Sequence, residues 1–515
     1  MMQVGFKALA EQYGIALAQP LRVESVIGKT RMSRESDGHV ERKYPASYQP
    51  SDDFAGHFEF GLKYEEIHLE FFARLFATVG PKPIEDWCRQ APFGQYARRA
   101  GFLYEWLTGQ HLDVPDVTNG GYVDAVSAQH YLTRVELLRV RRWRINNNLP
   151  GVPAFCPLVR RTESVQEVLQ FDLGEALREL NQTFGTDILM RTASWLTLKE
   201  SRASFLIEQE SDKVDRIQRF AHVIAKYCGR IEDPLSNDSL HTLQAGILGH
   251  DAFGLGLRRS PVFVGQATMR EDIVHYIAPA FEGLPHLLGG LKAFELATRG
   301  AEPLARAAAI AFAFVYIHPM RDGNGRIHRF LINDILIRDK AVPEGVILPV
   351  SATITRSIDF RARYDRTLEV FSRPFMQRYA ASYRFGKGAV YEDGTSSNLV
   401  FDDYDDAHFA WRYPDLTEHV LYTAQVVAHT VRTEMADEAR VLIIFQLAQE
   451  RLKEVLEMPD HDANRIIRSL KENGWQVSGK LKKAYPQLDD TGRAERVVEA
   501  VRSAFEEREV GSGED

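Results

Sequence analysis

The stretch from Ala305 to Ile317 constrains this chain more than any other feature. It reads Ala-Arg-Ala-Ala-Ala-Ile-Ala-Phe-Ala-Phe-Val-Tyr-Ile. A segment this apolar all round forms a helix only if it is buried on every side. His318-Pro319 ends it, because proline drives the preceding residue out of right-handed helical geometry. A second helix is predicted from near Gly325, with Ile327, Phe330, Leu331 and Ile335 recurring at helical spacing toward the same core. The chain therefore commits to a helical body in which two core helices are joined by a short polar loop. Arg326 and Arg329, three residues apart, share one face of the second helix.

That loop and first turn carry chemistry. Backbone N–H groups at a helix start have no intrahelical acceptor and, with the helix dipole, attract anions. Gly323 and Gly325 allow phosphate oxygens close to the backbone. No GxxxxGK[ST] is present, so this is not a P-loop. Arg326 and Arg329 offer planar forks suited to phosphate. Asp322 would repel phosphate on contact, and its natural task beside phosphates is to hold Mg²⁺. His318, with an ordinary pKa of about 6.5, can take a hydroxyl proton when neutral. At average residue usage such a combination arises by chance on the order of 10⁻¹⁰ per start position. A purely structural turn is the weaker explanation.

Elsewhere the chain reads as mainly α. The segment 23–58 is polar and predicted as loop or extended chain. Apolar spacing predicts helices over 64–106, then a helix carrying Val135, Leu138, Trp143 and the basic run Arg139, Arg141, Arg142 and Arg144. Helices joined by short loops follow over 164–227, and a helical core over 239–384. The apolar run Ser260 to Gly265 within that core predicts a strand. The glycine-rich 386–404 reads as loop, the last stretch as helices, and the tail 511–515 as disordered. We expect four regions: 1–160, mostly helical; 161–232, helical; 233–384, the catalytic core; and 385–510, helical.

Composition narrows the class. The 515 residues have 44% hydrophobic and 26% charged content and a net charge of −8, so no global basic field draws the protein to nucleic acid. Cys88, Cys156 and Cys228 are far apart without a CxxC pair, which argues against disulfides and zinc and predicts a reducing, cytoplasmic setting. No apolar run approaches a membrane span of about 18–20 residues, and no secretory signal is evident.

The run His318-Pro319-Met320-Arg321-Asp322-Gly323-Asn324-Gly325-Arg326-Ile327-His328-Arg329 resembles the signature of the Fic (Fido) family, and only Met320, where the family has Phe, departs from it. Typical members transfer AMP from ATP to a protein hydroxyl. The resemblance implies His318 as the general base and Asp322 as the Mg²⁺ ligand. It makes Gly323, Asn324, Gly325 and Arg326 the cradle for the α- and β-phosphates, and Arg329 the γ-phosphate ligand. It also implies a helical core with a short β-hairpin flap, formed by Val262–Gly265 and Ile273–Pro279, that pins a target segment by main-chain pairing.

Many members carry an inhibitory helix of pattern (Ser/Thr)-x-x-x-Glu-(Gly/Asn). Here Ser204-Phe205-Leu206-Ile207-Glu208-Gln209 fits through the glutamate, with Gln209 replacing Gly or Asn. Ser204 and Glu208 are expected exposed on one helix face, with Glu208 pairing with Arg329. The leading expectation is an autoinhibited protein adenylyltransferase using ATP and Mg²⁺, its partner a protein hydroxyl, including one of its own. Removal of AMP, or transfer of another phosphate-linked group, is the alternative on the same fold. A DNA-binding regulator with a vestigial core is a second alternative, resting on the segment Pro459 to Trp475 with Lys480, Lys482 and Lys483 behind it. That segment could be helix-turn-helix or winged-helix. The Arg139–Arg144 run is expected to be a solvated or salt-bridged helix face.

Overall fold

The computed structural model describes residues 2–36, 38–210, 212–267 and 272–510. The predicted disorder of 511–515 lies outside the described residues. The fold is mainly α, 57% helical with short sheets. No described helix is long and apolar enough to cross a membrane.

The alanine-rich helix, Pro303–Ile317, lies at the centre. Ala307, Ala308, Ala309, Ala311 and Ala313 are fully buried, and their small side chains let neighbouring helices approach closely. It packs along the arginine helix, Asn324–Arg338, along Leu284–Ala297, and along Thr417–His429. One apolar cluster surrounds it, running from Val159 through Phe220, Leu291 and Phe375 to Ala436. The upstream helix, Thr186–Ile207, leans on this body through Val350–Arg356 and Val214–Tyr227.

Three expectations need correction or sharpening. The polar stretch 23–58 is ordered. Its strands Val23–Gly28, Met32–Ser36 and His39–Pro45 join Met2–Val4 in a four-stranded sheet, and the helix Phe54–Tyr64 follows. This sheet lies beside the helices Leu69–Val79, Lys82–Gln90 and Gln95–Thr108, whose aromatic core includes Phe6, Phe58, Phe72 and Trp87.

The basic run is not helical. Leu138–Val140 and Ile145–Asn147 form an antiparallel pair around a turn, with Arg144 at φ 50°. Trp143 is buried so tightly against Gly101 that a Cβ there would stand 2.2 Å from the ring. Arg142 bonds Glu105 at 3.0 Å and the Leu112 carbonyl at 2.6 Å, and Arg144 bonds the carbonyls of Val117, Thr118 and Gly120. These cations are spent on local loops.

The glycine-rich 386–404 is also not a loop. Tyr383–Val390 and Ser396–Phe401 form a hairpin whose Leu399 and Phe401 are buried near Phe375, Tyr379 and Trp411. Alternation of Tyr383 and Phe385 with polar residues was the strand signal, and the glycines masked it.

The strand predicted over 260–265 lies at Phe263–Ala267, paired antiparallel with Asp272–Ile277. The C-terminal helices Ala436–Val455, Asp460–Glu472, Gly479–Ala484 and Thr491–Val510 enclose a core of their own around Ile466, Leu470, Leu481 and Val497. No strand follows Phe401 among the described residues, so that region has no wing.

Candidate active site

His318 caps the alanine-rich helix in the left-handed conformation, φ 49° and ψ 56°. For a non-glycine residue this costs about 1–2 kcal/mol, so neighbouring contacts must hold it. Its N–H still bonds the Phe314 carbonyl at 3.0 Å. Its Nδ1 lies 3.2 Å from the Val315 carbonyl, which can only accept, so Nδ1 carries the proton and Nε2 keeps its lone pair. Burial, then the Arg258 guanidinium, push its pKa down to about 4 against the opposing pull of Glu208 and Asp322. The imidazole is therefore neutral near pH 7, as a proton acceptor must be.

The loop behind it is closed by Asn324. Its Nδ2 donates to the Met320 carbonyl at 2.8 Å and its Oδ1 accepts from the Met320 N–H at 3.0 Å. Met320 is fully buried, filling the place where the related signature has Phe. Asn324 thus shapes the loop with its side chain and leaves its backbone to the cradle. Gly323 stands at φ 92° before the arginine helix. Asp322 remains about half exposed and pairs with Arg326.

Both arginines of the motif are buried and both are engaged by the end of the upstream helix. Arg329 donates from Nε to Ser204 Oγ at 2.7 Å and from Nη2 to Glu208 Oε1 at 2.6 Å. Arg326 bonds Glu210 as well as Asp322 and stacks on Phe205, 4.8 Å from its ring centre. Ser204 is fully buried, so the face expected to be exposed is turned inward onto Arg329. Glu208 keeps 34% of its side chain exposed. Burial raises its pKa, but Arg329, with Arg326 beyond it, outweighs this and holds the carboxyl below its ordinary value.

The helix end that presents these carboxylates has a defined geometry. Gln209 is left-handed at φ 60°, its N–H bonds the Leu206 carbonyl at 3.1 Å, and the Glu210 N–H bonds the Phe205 carbonyl at 2.9 Å. This is a Schellman cap, whose left-handed position prefers Gly or Asn. The preference of the related inhibitory pattern at this position then has a physical cause. The Glu208 carboxylate also lies against the first turn of the arginine helix: a Cβ on Gly325 would stand 2.0 Å from Oε1. A negative group thus lies at the helix start where the sequence predicts an anion to bind.

Three residues at this site escaped sequence reasoning. Glu210 lies beyond the inhibitory pattern, and nothing in the sequence marks it. Gln244 is buried and bridges the Asp322 carbonyl at 2.9 Å to the Gly256 N–H at 2.6 Å. Arg258, only 2% exposed, donates from Nε to the His318 carbonyl at 2.8 Å. Its one sequence signal is an arginine beside the apolar run that leads into the hairpin.

Residues 235–336 match the Fic/DOC family. The matched segment spans the alanine-rich helix, the His318 loop and the arginine helix up to Leu336. Among curated relatives, a protein adenylyltransferase fic-1 of Caenorhabditis briggsae is 27% identical over 247 residues, 45% of this chain and 39% of that protein. The fic-1 adenylyltransferase of Caenorhabditis elegans is 32% identical over 159 residues, 29% of this chain and 27% of that protein. The chain thus spans well under half the length of either. A Fic family protein from Desulfovibrio desulfuricans superposes with TM-score 0.37 at 18% identity, covering 61% of this chain and 90% of that one.

Proposed function

We propose that this protein is an autoinhibited protein adenylyltransferase. The observation that carries the proposal is the occupation of Arg329 and of the Gly325 turn by Ser204 and Glu208, beside a histidine whose Nε2 is free to accept a proton. The Fic/DOC match and the curated adenylyltransferase relatives support ATP as the nucleotide. In the transfer, a target hydroxyl oxygen attacks the α-phosphorus. A new O–P bond forms, the bond to the bridging oxygen breaks, diphosphate leaves, and the hydroxyl proton passes to His318 Nε2. The first-turn N–H groups and the two arginines offset the charge on the phosphates.

Asp322 suits Mg²⁺. Its carboxylate is half exposed, and no cluster of three or more metal-ligating side chains occurs among the described residues. Mg²⁺ beside phosphates is commonly held by one or two protein carboxylates together with substrate oxygens and water. When bound, Mg²⁺ would neutralise charge on the phosphates. The test is mass spectrometry of candidate targets, and of the protein itself, after incubation with ATP and Mg²⁺. Glu208→Gly should gain AMP on hydroxyl side chains faster than the parent protein, and His318→Ala should gain none. No AMP on any protein with Glu208→Gly sinks the proposal, and loss of AMP from pre-modified protein points to the removal reaction instead.

A further inference from the structure

Arg258 bonds the backbone of the histidine loop and both roots of the hairpin. Its Nε donates to the His318 carbonyl at 2.8 Å. Its Nη1 donates to the Ser260 carbonyl at 3.0 Å, just before the hairpin strand Phe263–Ala267, and its Nη2 to the Pro279 carbonyl at 2.6 Å, just after Asp272–Ile277. Its own N–H bonds the Pro319 carbonyl at 2.9 Å, and Leu257 pairs antiparallel with Met320. One buried guanidinium therefore ties the carbonyl of the left-handed histidine to both roots of the hairpin. Its guanidinium bonds are to carbonyls, and it makes no ion pair among the described residues.

The hairpin itself suits strand addition. Its two strands pair with no other strand among the described residues, and Val264 and Ile273 are exposed. A polypeptide added along its edge would take its register from the hairpin backbone. The hairpin is braced from outside as well: Asp393 accepts from the Arg259 N–H at 2.9 Å and from Ser260 Oγ at 2.8 Å, and Phe263 packs on Phe385 at 5.4 Å.

We infer that Arg258 is a positioning residue that sets the register between a target segment paired on the hairpin and the proton-accepting His318. This inference rests on the proposed AMP transfer. Lysine at 258 keeps the charge and the backbone bonds, but its three donors radiate from one nitrogen and do not match three carbonyls spread across the guanidinium fork. A misplacement of about 1 Å at the reacting atoms is worth roughly 10²-fold in rate.

The experiment uses the full chain with Glu208→Gly as parent, adding Arg258→Lys or Arg258→Met. It measures AMP transfer to protein, ATP hydrolysis to AMP and diphosphate, ATP affinity and melting temperature. Water needs no hairpin register, so the expected result is a fall in kcat for transfer of about 100-fold with ATP affinity kept and hydrolysis reduced far less. Arg258→Lys should not restore transfer. Transfer at the parent's rate in Arg258→Lys would overturn the inference, as would equal loss of transfer, hydrolysis and ATP binding. Failure of both variants to fold would also overturn it, since it assigns a role in positioning and not in folding. If the Glu208→Gly parent itself transfers no AMP, it is the proposed function that fails.

Discussion

The contest for Arg329 can be measured as an affinity for ATP. Glu208 reaches a fully buried guanidinium through one contact of 2.6 Å while keeping 34% of its side chain exposed. A charge-assisted bond in such a half-buried setting contributes about 1.5–3 kcal/mol. If ATP must displace it, removing the carboxylate should tighten ATP binding by roughly 10- to 150-fold. Glu210 makes the matching contact to Arg326 with 30% of its side chain exposed, and it shares Arg216 at 3.4 Å. Its removal should give a smaller gain, about 1.4- to 5-fold for about 0.2–1 kcal/mol. Both carboxylates hang from one Schellman turn, so their effects should not add: freeing one end loosens the other. Isothermal titration of ATP into the parent, Glu208→Ala, Glu210→Ala and the double variant checks this. Affinities of both single variants within twofold of the parent would refute a brake made of these contacts.

Two further outcomes follow from the same geometry. Gln209→Gly relieves a left-handed glutamine at φ 60°. It should raise stability by about 1 kcal/mol and, by firming the cap, slow AMP transfer, as read from melting curves and labelled AMP incorporation. His318 and His328 have pKa values pushed down to about 4, and His419 to about 3, by burial before any other cause. The unfolded chain binds these protons at an ordinary value near 6.5, so between 6.5 and 4 it holds more of them than the folded state. The stability from the neutral imidazoles is whole above pH 6.5 and is lost as pH falls toward 4. Buried Glu65 and Glu200, raised to about 7, bind protons more tightly in the folded state over the same window and offset part of this loss; with three imidazoles against these two carboxyls melting temperature should still fall between pH 6.5 and 4.5, and a rise across that window would contradict the burial of these rings.

The central helices were legible because their apolar residues leave no alternative. Ala305–Ile317 can be satisfied only inside a core, and His318-Pro319 can only stop it. The Ser204–Glu208 spacing was legible too, and the pairing of Glu208 with Arg329 followed from the family resemblance, not from local spacing. Arg329 lies 121 positions from Glu208 and is brought to it only by packing. Reading Ser204 as exposed followed from treating the upstream helix alone, whereas its polar face is covered by the arginine helix. The basic run misled for a different reason. Val135, Leu138 and Trp143 are spaced for a helix, but Trp143 is recruited by the gap at Gly101, a contact that local periodicity does not encode. Gly386 and Gly388 concealed a hairpin whose apolar alternation is carried by Phe385, Leu399 and Phe401.

Under the proposed function, Gly325 puts brake and cradle in one place. A bare α-carbon lets a phosphate oxygen approach the first turn of a helix, and it equally lets the Glu208 carboxylate do so, since a Cβ would stand 2.0 Å from Oε1 and 3.2 Å from Arg329 Nη2. Both ligands are anions, both seek the same unpaired N–H groups and the same guanidinium, and both need the same missing side chain. No substitution at Gly325 can therefore release the brake without closing the cradle. Separation has to come from the other partner. Glu208, Gln209 and Glu210 belong to the helix end alone, and changes there shift the contest without touching the groups that would hold the nucleotide. Under the proposed function the regulation is competitive at its root: the strength of the brake would be the free energy with which one helix cap imitates the anion it excludes.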